Sequence, residues 1–450
     1  MIRILHLVTD LSQTGGDYIY ARSMLDYLAS ENSSEMAFHI AEIQSHGTGK
    51  NESVYDDLGR KGVQFHVIPQ LDTPDIPCFY IADQISQIVK SHDIDIVHTH
   101  TFISDLIAVL VKTGSKNYLE QLDVILKGKD RFLWDQIVLS GQSLAGSPNS
   151  NFLYLDTTPL EEAGHRKISQ NENLKIVSTK HQSEFKSVFY KHQLGTVFKS
   201  SEDIEAASNV NRVMQRFVSE RADHVITIGS EAHLEWRQYN ASTDYIPVSI
   251  VDENIPPKQH QGGVTEGTGT HYIFAGRISG TKRPDLLVES FCAHLTAFPN
   301  DTLTIVGVGG LLDHCKMIAG GRDEIVFRGH LSRDQLFQEM AQKDALCLFS
   351  LTEGQPLVVQ EAMCVGLAVL ATGVGTILEM VSDGESGILI TQVTKEAIVG
   401  ALRRFSSTAK SEQSAMGIMS RERIKKVGSA VASYNRHADL YRRLTLSAKT

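Results

Sequence analysis

Residues 348–381 read LFSLTEGQPLVVQEAMCVGLAVLATGVGTILEMV. An apolar run ends near Ser350, a polar turn carries Glu353 and Gly354, and Pro356 stands where a helix would open. Proline suits a first helical turn, because its missing N–H would have no intrahelical partner there. Glycine lets backbone approach a ligand closely. The stretch therefore predicts a buried strand, a short loop, a helix and a second buried strand at 368–371, which is one βαβ unit. Parallel sheets place ligands at the carboxyl ends of their strands, so the loop around Glu353 is a candidate site. The helix start offers free N–H groups and the positive end of its dipole to an anion. Glu361 lies about a turn and a half inside that helix. One carboxylate can then meet a sugar hydroxyl at the loop, and the other a ribose diol along the helix. The bare Glu-x7-Glu spacing is weak evidence; the order strand, Glu-Gly-x-Pro, helix carries the reading.

The stretch AGRISGTKRPDLL at 275–287 repeats the plan. A strand ends at Ala275, Gly276 allows a sharp turn, and Pro284 opens a helix. Arg277 and Lys282 lie on the loop between them. Two cations there suit a diphosphate, whose leaving charge must be neutralised as a glycosidic bond breaks; a solvated basic loop is the plain alternative. Further out, the same alternation places strands at 271–275, 302–306, 324–327 and 345–349, with helices between. Upstream, strands are expected at 2–9, 38–43, 64–68, 94–98, 174–179 and 222–228, and helices at 18–28, 81–90, 104–112 and 203–220. Prolines 247, 256 and 257 and glycines 262, 263, 267 and 269 mark a linker between the two sets. Residues 115–173 lack the strand–helix rhythm and read as an insertion, either a surface embellishment or an element that binds an acceptor or partner.

A chain of 450 residues suits two domains better than one core. Its 43 basic and 53 acidic side chains give a net charge of −10, which offers little long-range attraction to nucleic acid or anionic lipid. The five cysteines form no CxxC pair, arguing against a disulfide framework or zinc knuckle and for a reducing compartment. The opening MIRILHLVTD turns polar too soon for a signal peptide. No run of about 18 apolar residues predicts a membrane span.

With these stretches in hand, residues 270–395 closely resemble the retaining GT-B glycosyltransferases of family four. The matching blocks are AGRISGTKRPDLLVESF, LTIVGVGG and the long run from IVFRGHLSRDQL to SDGESGILI. The resemblance implies two Rossmann-like parallel-sheet α/β domains facing across a cleft: an acceptor-side domain at 1–245, a linker at 246–269, and a nucleotide-sugar domain at 270–429. A terminal helix at 430–450 would cross back to the first domain. It further implies that Arg277 and Lys282 bind the donor diphosphate, Glu353 the donor sugar and Glu361 the ribose. Backbone at Arg328 and Gly329 would lie near the base, and backbone of Gly354, Gln355, Pro356 and Leu357 would cradle sugar and phosphate. In the first domain, Gly15 and Gly16 would approach the diphosphate or acceptor. His100 would face the donor as a catalytic residue alongside Arg277, Lys282 and Glu353. Asp17, Tyr18 and His181 would lie on the acceptor side.

His98 and His100 carry alternative readings. Residues i and i+2 of a strand share a face, so the pair suits a metal, a structural role or a donor contact. No third ligand at a convincing spacing is evident from the sequence, and the chemistry implied by the resemblance needs none, so no metal is expected. The implied reaction moves a sugar from a nucleoside diphosphate, UDP favoured, to a carbohydrate, lipid-linked or other hydroxyl acceptor, with retention of configuration. No cofactor or nucleic-acid partner is expected, and the setting would be cytoplasmic with peripheral membrane contact allowed. A non-catalytic GT-B partner subunit and a nucleotide-sugar epimerase are the rival readings. Val248–Ser249, where the family linker carries Asn-Gly, the Asp17–Tyr18 pair and the insertion depart from the family pattern.

Overall fold

The computed structural model describes residues 1–8, 16–42, 52–68, 78–100, 102–126, 168–180, 200–249, 255, 269–427 and 429–446. The chain forms two compact units, one made of Met1–Ile246 with Tyr434–Thr450, the other of Pro247–Ser433.

The first unit is built on a parallel seven-stranded sheet. Its strands are β1 (Ile2–Val8), β2 (Met36–Glu42), β3 (Gln64–Val67), β4 (Ile96–Thr99), β5 (Lys175–Lys180), β6 (His224–Thr227) and β7 (Thr243–Tyr245), in the order β3-β2-β1-β4-β5-β6-β7. The order reverses beside β1, so β1 and β4 flank the topological switch point, the usual place for a ligand in such sheets. Leu5, Leu7 and Val97 pack on one face, against the helices Cys78–Ser91, Phe102–Thr113 and Ser201–Arg221. The alternate residues Ile4, His6, Ile96 and His98 point the other way and are equally buried. The end of the helix Ala430–Leu446 packs within this unit. There Tyr441 is buried with its hydroxyl 2.6 Å from His98 Nδ1, while Arg442 reaches Glu35 and Arg443 reaches Asp244. Exposed ion pairs of that kind add little stability; the burial of Ala438, Leu440 and Tyr441 holds the helix there.

The second unit carries a parallel six-stranded sheet: β8 (His271–Ala275), β9 (Thr302–Val306), β10 (Ile325–Gly329), β11 (Ala345–Leu348), β12 (Ala368–Thr372) and β13 (Gly387–Ile390), ordered β10-β9-β8-β11-β12-β13. Its strands HYIFA, TLTIV, ALCL and AVLAT are near-continuous apolar runs, as strands covered on both faces must be. The switch point falls between β8 and β11. Together the two sheets give the chain its α/β, Rossmann-like fold class.

Local differences from the sequence reading have physical causes. The helix at 284 stops at His294 rather than continuing to 297, where Ala297 N–H turns back onto the His294 carbonyl. The helix Glu52–Arg60 and the strands β7 and β13 lie outside the periodic stretches recognised in the sequence. β13 is short and begins at Gly387, where a Cβ would lie 2.0 Å from the Val369 carbonyl oxygen, so close pairing with β12 demands glycine. Most of the insertion lies outside the described residues; its described start is the helix Ser115–Ile125.

Candidate functional site

In the second unit, the loops after β8, β9 and β11 are laced together. Ile278 N–H donates to the Val308 carbonyl and Gly276 N–H to that of Val306. Gly307 and Gly309 hold left-handed φ values of +134° and +155°, and a Cβ on either would strike the carbonyl oxygen of Gly276 or Ile278. Leu351 N–H donates to the Thr281 carbonyl at 2.8 Å, joining the β11 loop to the β8 loop. These bonds bring Lys282 and Glu353 together across the switch point. Lys282 Nζ donates to Glu353 Oε1 at 2.5 Å, and Ser350 Oγ donates to the same oxygen at 2.6 Å. The Glu353 side chain is 8% exposed and that of Lys282 22%. Arg277, on the same β8 loop, is exposed.

The backbone of the Glu353 loop is fixed from below. Thr376 donates to the Gly354 carbonyl from both its N–H and its Oγ1, and Gly375 (φ +53°) sits so close that a Cβ would lie 2.0 Å from the Glu353 carbonyl oxygen. Pro356 caps the helix Leu357–Val365 with no side-chain hydrogen bond, leaving the helix start to other partners. Gln355 Oε1 accepts from Val248 N–H at 2.8 Å, and Gln360 Nε2 donates to the Val248 carbonyl at 2.9 Å. Val248 is thus held by both of its backbone polar groups. Leu357 is buried.

Glu361 does not join Lys282. It lies buried within the helix, 3.4 Å from Arg333 Nε. Burial raises the carboxyl above its usual range, and the Arg333 guanidinium partly offsets this. Arg333 opens the helix Arg333–Met340, whose start is fixed by a capping box between Ser332 and Gln335. Arg328 lies 3.4 Å from Glu339, and Gly329 takes φ +66° at the end of β10.

In the first unit His100 follows β4 and is buried. The turn that carries it is held by the His100 N–H bond to Ser104 Oγ and by a buried pair in which Lys180 Nζ donates to Asp105 Oδ2 at 2.6 Å. Thr99 Oγ1 donates to the other Asp105 oxygen, and Lys180 Nζ also stands 4.9 Å from the Trp236 ring centroid. His6, opposite His98 in the β1–β4 register, completes a trio whose nitrogens lie within 4.8 Å of one another. The sequence reading found no third partner for His98 and His100; His6 is spatially that partner, and an ionisable residue inside an apolar strand was the available signal. Within the trio, His98 meets Tyr441 OH through Nδ1 and Thr179 Oγ1 through Nε2, and His6 Nδ1 lies 3.0 Å from His100 Nε2, while His6 Nε2 is buried with no hydrogen-bond partner among the described residues. Burial, then the nearby His437, lowers the His6 pKa to about 3, so His6 is neutral at physiological pH. Gly16, Asp17 and Tyr18 fall in the first turn of the helix Gly16–Glu31, whereas Gly15 and His181 lie outside the described residues. Asp105, Lys180 and Arg333 were not singled out from the sequence, because only the folded sheets bring them to their partners.

Residues 257–423 match the family model described as glycosyl transferases group 1. The chain is 30% identical over 167 residues to a D-inositol 3-phosphate glycosyltransferase of Arthrobacter sp. (strain FB24), covering 34% of this chain and 39% of the relative. It is 29% identical over 190 residues to the enzyme of that name from Paenarthrobacter aurescens (strain TC1), covering 39% and 47%. The chain thus spans less than half the length of these curated relatives. Among solved structures, Anabaena HepE in complex with UDP and glucose superposes with a TM-score of 0.64 at 13% identity, covering 98% of this chain and 100% of that one. Sucrose-phosphate synthase from Thermosynechococcus elongatus gives a TM-score of 0.66 at 16% identity, covering 99% and 100%. These likenesses show the fold to be GT-B. Among the described residues, no helix is long and apolar enough to cross a membrane.

Proposed function

We propose that the chain is a glycosyltransferase that moves a sugar from a nucleoside diphosphate to a hydroxyl acceptor with retention of configuration. The observation that carries this reading is the Lys282–Glu353 pair at the switch point of the second sheet, beside the helix start at Leu357. On this reading Arg277, Lys282 and the helix N–H groups take up the charge of the leaving diphosphate. Glu353 meets the donor sugar and Glu361 the ribose; backbone at Arg328 and Gly329 lies near the base, and Gly354 to Leu357 cradle sugar and phosphate. The acceptor hydroxyl attacks from the face the diphosphate leaves, and a departing phosphate oxygen takes its proton. This scheme needs no carboxylate nucleophile, unlike two-carboxylate glycosidase chemistry, and no metal, because fixed cations and a helix dipole supply the positive charge. His100 contacts the donor, with Gly15 and Gly16 near the diphosphate and Asp17, Tyr18 and His181 on the acceptor side. UDP is the favoured donor nucleotide; a polyol or carbohydrate hydroxyl as the acceptor is in keeping with the names of the curated relatives, D-inositol 3-phosphate glycosyltransferases. A cytoplasmic, reducing setting fits the free thiols of Cys292, Cys315, Cys347 and Cys364.

Thermal stabilisation by UDP, GDP or ADP in the presence of EDTA tests the donor site, because a ligand that binds only the folded state must raise the midpoint. A shift for one base, unaffected by EDTA, supports the reading. Silence with every nucleotide would transfer the reading to a non-catalytic partner subunit.

A further inference from the structure

The helix Leu357–Val365 is almost wholly buried, and Glu361 stands in it among Val359, Ala362, Met363 and Cys364. A buried carboxylate is costly unless it is paired. The cation recorded beside it is Arg333, whose Nε lies 3.4 Å from Glu361 Oε1. Other charged groups on the elements packed against this helix have partners of their own. On the helix Arg333–Met340, Glu339 pairs with Arg328 and Lys343. On the helix Lys410–Val427, Arg421 bonds the Ile255 carbonyl and Arg423 those of Glu379 and Met380. Lys410 and Lys425 there pair with Asp344 and Glu422. Strands β11 and β12 bring no charged side chain.

The place of Arg333 is not explained by its own helix. It is the first helical residue after the Ser332 cap, where the positive end of the dipole disfavours a cation; Asp334 beside it is the residue that suits that end. The Arg333 guanidinium carbon stands 5.2 Å from the Phe337 ring centroid, one turn further on, which gives it a platform. A half-exposed ion pair adds little stability by itself. The effect of Arg333 falls on Glu361: burial raises that carboxyl above its usual range, and the guanidinium pulls it back.

We infer that Arg333 is a positioning residue: it holds Glu361 as a fixed carboxylate that accepts from both hydroxyls of the donor ribose. The ribose contact rests on the proposed transferase reading. A carboxylate has about four acceptor sites, so one guanidinium N–H leaves room for a vicinal diol. A protonated carboxyl would have an O–H of its own to satisfy and would accept less well. Nucleotide binding therefore falls as pH drops through the titration of Glu361, and without Arg333 that fall begins at a higher pH.

Calorimetry of the full-length protein with UDP and with 2′-deoxy-UDP, from about pH 6 to about pH 8.5, separates this role from others. The parent protein should prefer UDP about tenfold across the range. Arg333→Met should lose most of that preference at the acid end, where it should behave like Glu361→Gln, and regain it at the alkaline end. Arg333→Lys should keep most of it throughout. Equal weakening of both nucleotides at every pH would overturn the inference, because it would put Arg333 on the diphosphate or in the fold alone. An unchanged preference in Arg333→Met overturns it too. Carbon-13 NMR of glutamate-labelled protein reads the charge without any nucleotide, with the Glu361 carboxyl assigned by its loss in Glu361→Gln. Its titration should move up in Arg333→Met and return in Arg333→Lys; an unmoved titration refutes the electrostatic hold. A parent protein that binds neither nucleotide, or both equally, refutes the donor reading of Glu361, while the NMR titration still decides whether Arg333 sets its charge.

Discussion

Replacing Lys282 by methionine separates the structural from the functional role of the pair it forms. The substitution keeps the length of the stem and removes the ammonium. Glu353, 8% exposed, would keep only the Ser350 hydroxyl as its recorded hydrogen-bond donor. Breaking a buried pair by removing one partner costs about 3–5 kcal/mol. Because Lys282 is 22% exposed, water can enter and part of that cost is relieved; we expect about 2–3 kcal/mol, the scale of a charge-assisted hydrogen bond. For a unit of this size that lowers the midpoint by roughly 6–10 °C. Glu353→Gln should be milder, about 1 kcal/mol, since the lysine can turn to solvent. The double variant should fall short of the sum by about 1–2 kcal/mol, and that shortfall is the coupling measured by a double-mutant cycle. Function divides the two single variants. On the proposed function a diphosphate competes with Glu353 for Lys282, so Glu353→Gln should bind UDP at least as tightly as the parent protein while turnover falls. Lys282→Met should lose nucleotide binding. Thermal melts and titration calorimetry on the four proteins give every number. Coupling below about 0.5 kcal/mol, the limit of additivity for independent sites, would refute the pairing as an energetic unit. Weaker UDP binding in Glu353→Gln would refute the competition.

Other substitutions probe the frame around the site. Gly375→Ala should destabilise the second unit by at least about 1–2 kcal/mol from its left-handed φ alone, and displace the Glu353 loop; a melt equal to that of the parent protein would show that the loop yields freely. Asp105→Asn leaves Lys180 buried without its carboxylate and should cost about 3–5 kcal/mol, read by urea denaturation of the first unit. Glu361→Gln should be nearly neutral for stability, because burial already disfavours its charge, yet should weaken nucleotide binding about tenfold, which calorimetry checks. Acid should weaken the first unit through His6. Its folded pKa of about 3 lies below the unfolded value near 6.5, so the unfolded chain takes up the proton first and stability falls as pH drops below 6.5. At pH 5 the loss from this one group is about 2 kcal/mol, and His6→Leu should abolish that part of the pH dependence.

The second unit was legible because its turn and strand signals are local. Strand, loop and helix follow one another within 345–365, so Glu353, Gly354 and Pro356 take their places from neighbours in sequence. The same holds for Arg277, Lys282 and Pro284 after β8. The apolar runs of both sheets could be found for the same reason: parallel strands covered on both faces must be apolar throughout. The first unit was less legible. Its loops after β1 and β5, where Gly15 and His181 fall, lie outside the described residues. Its polar centre joins residues distant in sequence: His6 pairs with His100, and His98 with Tyr441, 343 positions away.

The sequence by itself determined the class of fold and the positions of most strands, because periodicity and turn chemistry act over a few residues. Tertiary structure alone decided who meets whom. The sheet order sets β1 beside β4 and β8 beside β11, and strand order follows from crossover packing that no local pattern encodes. Hence Lys282 spends its charge on Glu353, Arg333 rather than a loop cation faces Glu361, and a histidine in the first strand meets the histidine that follows the fourth.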